Sequence, residues 1–260
     1  MKILAIETSC DETAISVVEC WGNPFSARGG SAFGGKILSN VVASQIKIHA
    51  KWGGVVPNLA KREHIKNLPV VLKKALGKIK MKNIDLIAVT VGPGLEPALW
   101  VGINFAEDLA KKCNKKIIGI NHMEGHLVSP LLNLKLKIKN LKFPAVALLV
   151  SGGHTELVLI KDWLKYKIIG QTRDDAAGEA FDKVAKMLKL PYPGGPQVSK
   201  LAESFKFQVS SFKTKLPRPM IKSNDYDFSF SGLKTAVLYL LKDLEKNYGL
   251  RVTDYALRAA

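Results

Sequence analysis

Residues 2–19 read KILAIETSCDETAISVVE. Two apolar runs, "KILAIE" (2–7) and "AISVVE" (14–19), flank the polar stretch "TSCDET", the pattern of two strands joined by a tight turn. The arrangement returns at 145–160, where "AVALLV" and "TELVLI" flank "SGGH". Further strand-like runs are "LIAVTV" (86–91), "KIIGI" (116–120) and "YKIIGQ" (166–171). Helical spacing fills the intervals: "NLAKREHIKNLPVVLKKAL" (58–76) and the segment opening at Ala176 carry apolar residues at mixed steps of three and four. A hairpin with a polar tip, followed by helix and strand, therefore occurs twice. This is a duplication of topology, not of sequence. It predicts an α/β protein of two lobes, 1–130 and 131–260, with both hairpin tips facing a ligand-holding crevice. Turns of this kind present backbone N–H groups to phosphate oxygens.

Composition narrows the class. Of 260 residues, 47% are hydrophobic, ample for a buried core and inconsistent with disorder. The short apolar run before Glu7 is too brief for the core of a signal peptide. No apolar stretch approaches the roughly 18 residues that a membrane span requires. Cys10, Cys20 and Cys113 are odd in number and unpatterned, which indicates neither a disulfide framework nor a cysteine zinc site and fits a reduced cytoplasm. Lys+Arg of 39 against Asp+Glu of 22 gives +17, a field that favours polyanions. Lysines gather at 111–116, 135–142 and 200–222. The first two groups flank the histidines discussed next, where a phosphate backbone would find counter-charge. Solvated surface lysines from composition bias are the alternative. "PFSARGGSAFGGK" (24–36) reads as a surface loop with no assigned function.

"NHMEGH" (121–126) places His122 and His126 one helical turn apart on one face, a workable geometry for two ligands of one divalent ion. Taken alone, the spacing leaves an incidental pair open as well. In metalloproteases the glutamate directly follows the first histidine. Glu124 sits two residues on, so a zinc endopeptidase is disfavoured. Two nitrogens are too few for a stable site, and at least one carboxylate must come from elsewhere. In "LLVSGGHTEL" (148–157) a strand runs out at Val150, and Gly152 and Gly153 admit a ligand close to the backbone. The amides there, with the Ser151 and Thr155 hydroxyls, suit a phosphate; an ordinary glycine turn is the alternative. "DDAAGEAFDKVAKML" (174–188) reads as a helix with Asp174 or Asp175 as N-cap. Its buried stripe is Ala177, Phe181, Val184, Ala185 and Leu188, with Glu179, Asp182, Lys183 and Lys186 opposite. "PYPGGP" (191–196) reads as a rigid turn able to pass under a flat ligand.

In this order the stretches resemble the TsaD family, the universal tRNA threonylcarbamoyladenosine-forming proteins. "IETSCDET" (6–13), "HAKWGGVVPNLAKREH" (49–64), "VGPGLEPAL" (91–99), "NHMEGHL" (121–127), "LLVSGGHTEL", "DDAAGEAFDK" (174–183), "PYPGGP" and "DFSFSGLKTA" (227–236) carry the likeness. Leu149 stands where archaeal and eukaryotic members carry a tyrosine metal ligand, so the chain is similar to the bacterial or organellar branch. The resemblance implies a duplicated actin-like (ribonuclease H-like) ATPase fold. It also implies a reaction, in which N6 of adenosine 37 in tRNAs reading ANN codons attacks the carbamoyl carbonyl of threonylcarbamoyl-adenylate and AMP leaves. It further assigns His122 and His126 to one iron or zinc ion, and Leu149, Val150, Ser151, Gly152 and Gly153 to the adenylate's phosphate region. Asp182 and Gly195 would meet its ribose and base, while Asp11 and Glu12 point into the same cleft as catalytic groups. A paralogous dimerisation subunit, a small P-loop ATPase and tRNA are the implied partners. Family members continue further, with an adenine-binding asparagine and a metal-binding aspartate that have no counterpart here. Weaker metal affinity and an uncovered apolar sheet edge are expected. The reading from a different class is a non-catalytic nucleotide-binding paralogue.

Overall fold

A computed structural model describes residues 1–21, 34–133, 142–204 and 215–248. The chain divides into two compact units, Met1–Leu141 and Lys142–Ala260. Most of the loop read at 24–36 and all but Lys142 of the 135–142 lysine group lie outside the described residues, as do residues 205–214 of the third lysine group.

The first unit runs β1 (Lys2–Glu7), β2 (Glu12–Trp21), β3 (Gly34–Ser44), α1 (Ile46–His49), α2 (Pro57–Leu76), β4 (Leu86–Gly92), α3 (Glu96–Cys113), β5 (Lys116–Asn121) and α4 (His122–Asn133). Its strands form one mixed sheet in the order β3-β2-β1-β4-β5. The first three are an antiparallel meander, while β4 and β5 run parallel to β1. The parallel pairings require crossovers, which α2 and α3 supply. Alternation along β1 and β2 points Leu4, Ile6, Ile15 and Val17 to one face, where they are buried against Leu68, Val71 and Ala75 of α2 and Ala106 and Ala110 of α3. Helix α2 begins at Pro57, whose missing N–H costs nothing in a first turn, and stops at Gly77 with φ 52°.

Residues 34–36, read as loop, are the start of β3. This strand escaped notice because it lies at the sheet edge, mostly exposed, with Ser39 and Asn40 interrupting its apolar pattern.

The second unit runs β6 (Ala145–Val150), β7 (Thr155–Asp162), β8 (Lys165–Gln171), α5 (Ala177–Met187), α6 (Gly194–Ser204) and α7 (Ser231–Tyr248). Its strands form an antiparallel meander in the order β6-β7-β8. On edge strand β6 the alternate residues Val146, Leu148 and Val150, which share one face, stay 59%, 57% and 58% exposed.

Three sequence expectations are corrected here. The N-cap of α5 is Ala176, not Asp174 or Asp175, because both carboxylates bind the segment 225–234 or lysines instead. Phe181 is 49% exposed, and Ala180 takes its place in the buried face. Gly194, Gly195 and Pro196 are the first turn of α6 rather than a free turn.

Among the described residues no helix is long and apolar enough to cross a membrane. Leu68, 1% exposed between α2 and the sheet, anchors the first unit. Leu68→Ala is expected to destabilise it by about 2–5 kcal/mol, read from chemical denaturation.

Candidate functional site

The carboxyl ends of β1, β4 and β5 lie side by side, and each delivers one polar group to the same spot. Glu7 ends β1, Thr90 lies near the end of β4, and His122 opens α4 directly after β5. The carboxyl ends of parallel strands are where open α/β sheets bind ligands. Asn121 holds the start of α4 in place: its Oδ1 accepts hydrogen bonds from the Met123 and Glu124 amides at 2.8 and 3.2 Å. His122 and His126 then stand one turn apart with their Nε2 atoms 3.1 Å from each other and their rings at 84°.

That separation fits a shared ion. Two nitrogens each at roughly 2.05 Å from one metal lie about 3.3 Å apart in a tetrahedral site and about 2.9 Å apart at a right angle. The observed value falls between. Among the described residues no third His, Cys, Asp or Glu joins the pair to complete a ligand set.

Behind the pair sits Glu7. Its Oε1 accepts from the Ser9 amide and its Oε2 from the Thr90 hydroxyl, both at 2.5 Å, and Oε2 lies 3.1 Å from His122 Nδ1. Burial pushes the Glu7 carboxyl up, but hydrogen bonds from His122, Ser9 and Thr90 outweigh it and hold the group at about 2. In the sequence Glu7 stands only as the end of an apolar run. Nothing in the periodicity of 2–7 announces a partner 115 residues away.

Asp11 and Glu12 occupy the β1–β2 tip. Glu12 is exposed at the start of β2, and the Asp11 carbonyl accepts from the Gln45 amide at 2.9 Å. Among the described residues it is Glu7 and Ser9 that hydrogen-bond His122, not these two. Burial, then the Asp11 charge, pushes the neighbouring Cys10 thiol up to about 12, so Cys10 is a poor nucleophile. The tip is set from below by the buried side chains of His64 and Thr13. His64 Nε2 donates to the Cys10 carbonyl at 2.9 Å, and its Nδ1 accepts from the Thr13 hydroxyl at 2.8 Å. Burial holds His64 below its ordinary value, which keeps it neutral for this double duty.

In the second unit, Leu149 is buried, Val150 is exposed, and Ser151 opens the turn. Ser151 Oγ accepts from the Gly153 and His154 amides at 3.3 and 3.0 Å, so those two N–H groups are engaged inside the turn. A Cβ on Gly152 or Gly153 would meet nothing within 4 Å, leaving open space above the backbone. Thr155 is not available to a ligand: its buried hydroxyl accepts the Ala177 N–H at 2.8 Å, and the Ser151 carbonyl accepts the Gly178 N–H at 3.1 Å. These two bonds cap α5, whose own N-cap has no polar side chain. The approach is so close that a Cβ on Gly178 would lie 2.6 Å from the Ser151 carbonyl oxygen. Asp182 accepts the Gly194 N–H at 2.7 Å and so caps α6, one residue before Gly195.

The run Thr172–Asp175 fastens the start of α7 to this unit. Asp174 accepts from the Ser229 and Ser231 hydroxyls, both at 2.6 Å, and from the Phe230 and Ser231 amides at 2.8 and 3.2 Å. Asp175 bridges Lys183 and Lys234, while Arg173 pairs with Asp225 and Asp227. Of the lysine groups, 111–116 surrounds the C-terminus of α3, where cations suit the helix dipole.

A mixed α/β sheet with paired imidazoles at its parallel strand ends, and a separate unit with a glycine turn over a helix start, define a class of two-unit α/β proteins. The family model described as TsaD: tRNA N6-adenosine threonylcarbamoyltransferase matches residues 36–257. A protein of Thermosipho melanesiensis named tRNA N6-adenosine threonylcarbamoyltransferase is 52% identical over 248 residues, 95% of this chain and 69% of the relative. Like-named proteins of Thermosipho africanus and Kosmotoga olearia are 48% and 45% identical, over 95% and 98% of this chain and 69% and 70% of their own lengths. The chain belongs to the TsaD family, a family of enzymes.

The folded-state pKa values of Asp174, Asp175 and Asp227 lie below ordinary carboxylate values: burial raises the first two, and partners overcome it, while Arg173 leads for Asp227. A depressed folded pKa means stabilisation that is present above the ordinary value and lost as pH falls from there through the folded value. Asp174→Asn is therefore expected to melt roughly 2–4 °C below the parent at pH 7, with the gap closing below about pH 4, as read by thermal melts across pH.

Proposed function

We propose that this chain transfers the threonylcarbamoyl group of threonylcarbamoyl-adenylate to N6 of adenosine 37 in tRNAs reading ANN codons. The observation that supports this reading is 52% identity, over 95% of the chain, to a protein named tRNA N6-adenosine threonylcarbamoyltransferase. The adenosine N6 attacks the carbamoyl carbonyl carbon, a C–N bond forms, the bond to the phosphate oxygen breaks, N6 loses a proton, and AMP departs. No side chain need act as nucleophile. Positioning two reactants in line lowers such a barrier by roughly 7–11 kcal/mol.

In this reading His122 and His126 hold a divalent ion, iron or zinc. Bound there, it supplies Lewis-acid polarisation and orientation of the donor. The Ser151–Gly153 turn, with open space above both glycines, receives the adenylate's phosphate region, and Asp182 and Gly195 lie toward its ribose and base. Asp11 and Glu12, set on the β1–β2 tip by His64, are the acidic groups assigned to the reaction. The actin-like duplication is supported by the two antiparallel meanders, β1-β2-β3 and β6-β7-β8. The net charge of +17 favours a polyanionic partner such as tRNA, and a cytoplasmic location is part of the same reading. A paralogous subunit and a P-loop ATPase complete the proposed assembly.

The assay supplies threonylcarbamoyl-adenylate and unmodified ANN-decoding tRNA to the purified chain and looks for the modified nucleoside by mass spectrometry. Product that falls to background in His122→Ala is the expected result. Absence of product, with retained adenylate binding, would replace the enzyme by a nucleotide-binding scaffold.

A further inference from the structure

We propose that Glu7 is a positioning residue that sets the tautomer of His122, so that the Nε2 lone pair of that ring faces His126. The proposal rests on the metal reading above and deepens it. A carboxylate without a proton can only accept hydrogen bonds. The 3.1 Å contact between Glu7 Oε2 and His122 Nδ1 is therefore a hydrogen bond only when Nδ1 carries the hydrogen. A neutral imidazole has one N–H, so its Nε2 is then an acceptor.

Geometry makes Glu7 fit for this task. Its two oxygens are gripped from different elements, Oε1 by the Ser9 amide on the β1–β2 tip and Oε2 by the Thr90 hydroxyl on β4. The carboxylate cannot swing away without breaking one of them. Ser9 Oγ also approaches His122 Nδ1, at 3.3 Å. A hydroxyl donates or accepts with equal ease, so Ser9 alone selects no tautomer. The backbone of His122 is fixed separately by the Asn121 cap, which leaves ring orientation and tautomer as the freedoms that Glu7 removes. Partners of this kind behind a metal-binding histidine are typically worth about 10–100-fold in affinity.

The test uses Glu7→Gln in the full chain, with zinc as the probe. Zinc affinity is measured by competition with a chromophoric chelator. The His122 tautomer is read from long-range proton–nitrogen NMR of the side chain. The expected result is an Nδ1–H tautomer for His122 in the parent, a mixture of tautomers in Glu7→Gln, and zinc affinity lower by about 10–100-fold. Zinc affinity within twofold of the parent, together with an unchanged tautomer, would overturn the proposal. If Glu7→Gln fails a thermal-melt check of folding, Thr90→Val, which frees one grip on Oε2, is the second variant. A several-fold loss of affinity supports the proposal, and no loss overturns it. If His122→Ala binds zinc as well as the parent, the metal reading fails instead, while the tautomer of His122 in Glu7→Gln still decides the role of Glu7.

Discussion

Three parallel strands ending at one level place Glu7, Thr90 and His122 within hydrogen-bonding reach, though 83 and 115 residues separate Glu7 from its partners. Parallel pairing demands crossovers, and the crossovers here are α2 and α3, which also bury the core of Leu4, Ile6, Ile87 and Leu68. The packing that stabilises the first unit and the alignment that assembles its polar cluster are thus one arrangement. A change that shifts β4 against β1 moves Thr90 away from Glu7 and loosens the histidine behind it.

Each unit also fastens its hairpin tip to the start of a helix in the same manner. In the first, the Leu95 amide donates to the Ser9 carbonyl at 2.7 Å, and a Cβ on Gly94 would sit 2.6 Å from that oxygen. In the second, the Gly178 amide donates to the Ser151 carbonyl, and its own missing Cβ leaves room for the approach. A threonine assists in both, Thr8 bonding the Ala98 carbonyl and Thr155 the Ala177 amide. Helix starts carry unsatisfied N–H groups and a positive dipole end, so serving them from a hairpin tip both stabilises the helix and fixes the tip. Only glycine permits the contact at Gly94 and Gly178, because any side chain would overlap a carbonyl oxygen.

The acidic residues divide their labour by partner. Asp174, Asp175 and Asp227 hold helices and loops of the second unit, through backbone amides, hydroxyls, lysines and Arg173, and Asp182 caps α6 through one carboxylate oxygen. Glu7 is the acid committed to a histidine. Residues alike in chemistry acquire different tasks from what the fold brings opposite them.

Local pattern alone revealed the strands of both hairpins, the helix at 58–76 and the one-turn spacing of His122 and His126. Strand alternation, helical periodicity and i, i+4 placement are properties of neighbouring residues. The edge strand β3 escaped because an exposed edge need not alternate cleanly. Neither Asp174 nor Asp175 caps α5, because their partners at 229–234 lie more than fifty residues on. The tertiary structure alone decided that Thr155 caps a helix rather than facing a ligand, and that Glu7, Ser9 and Thr90 converge on His122. Hydrogen bonds between distant strands follow from sheet order and register, and no local window of sequence encodes either.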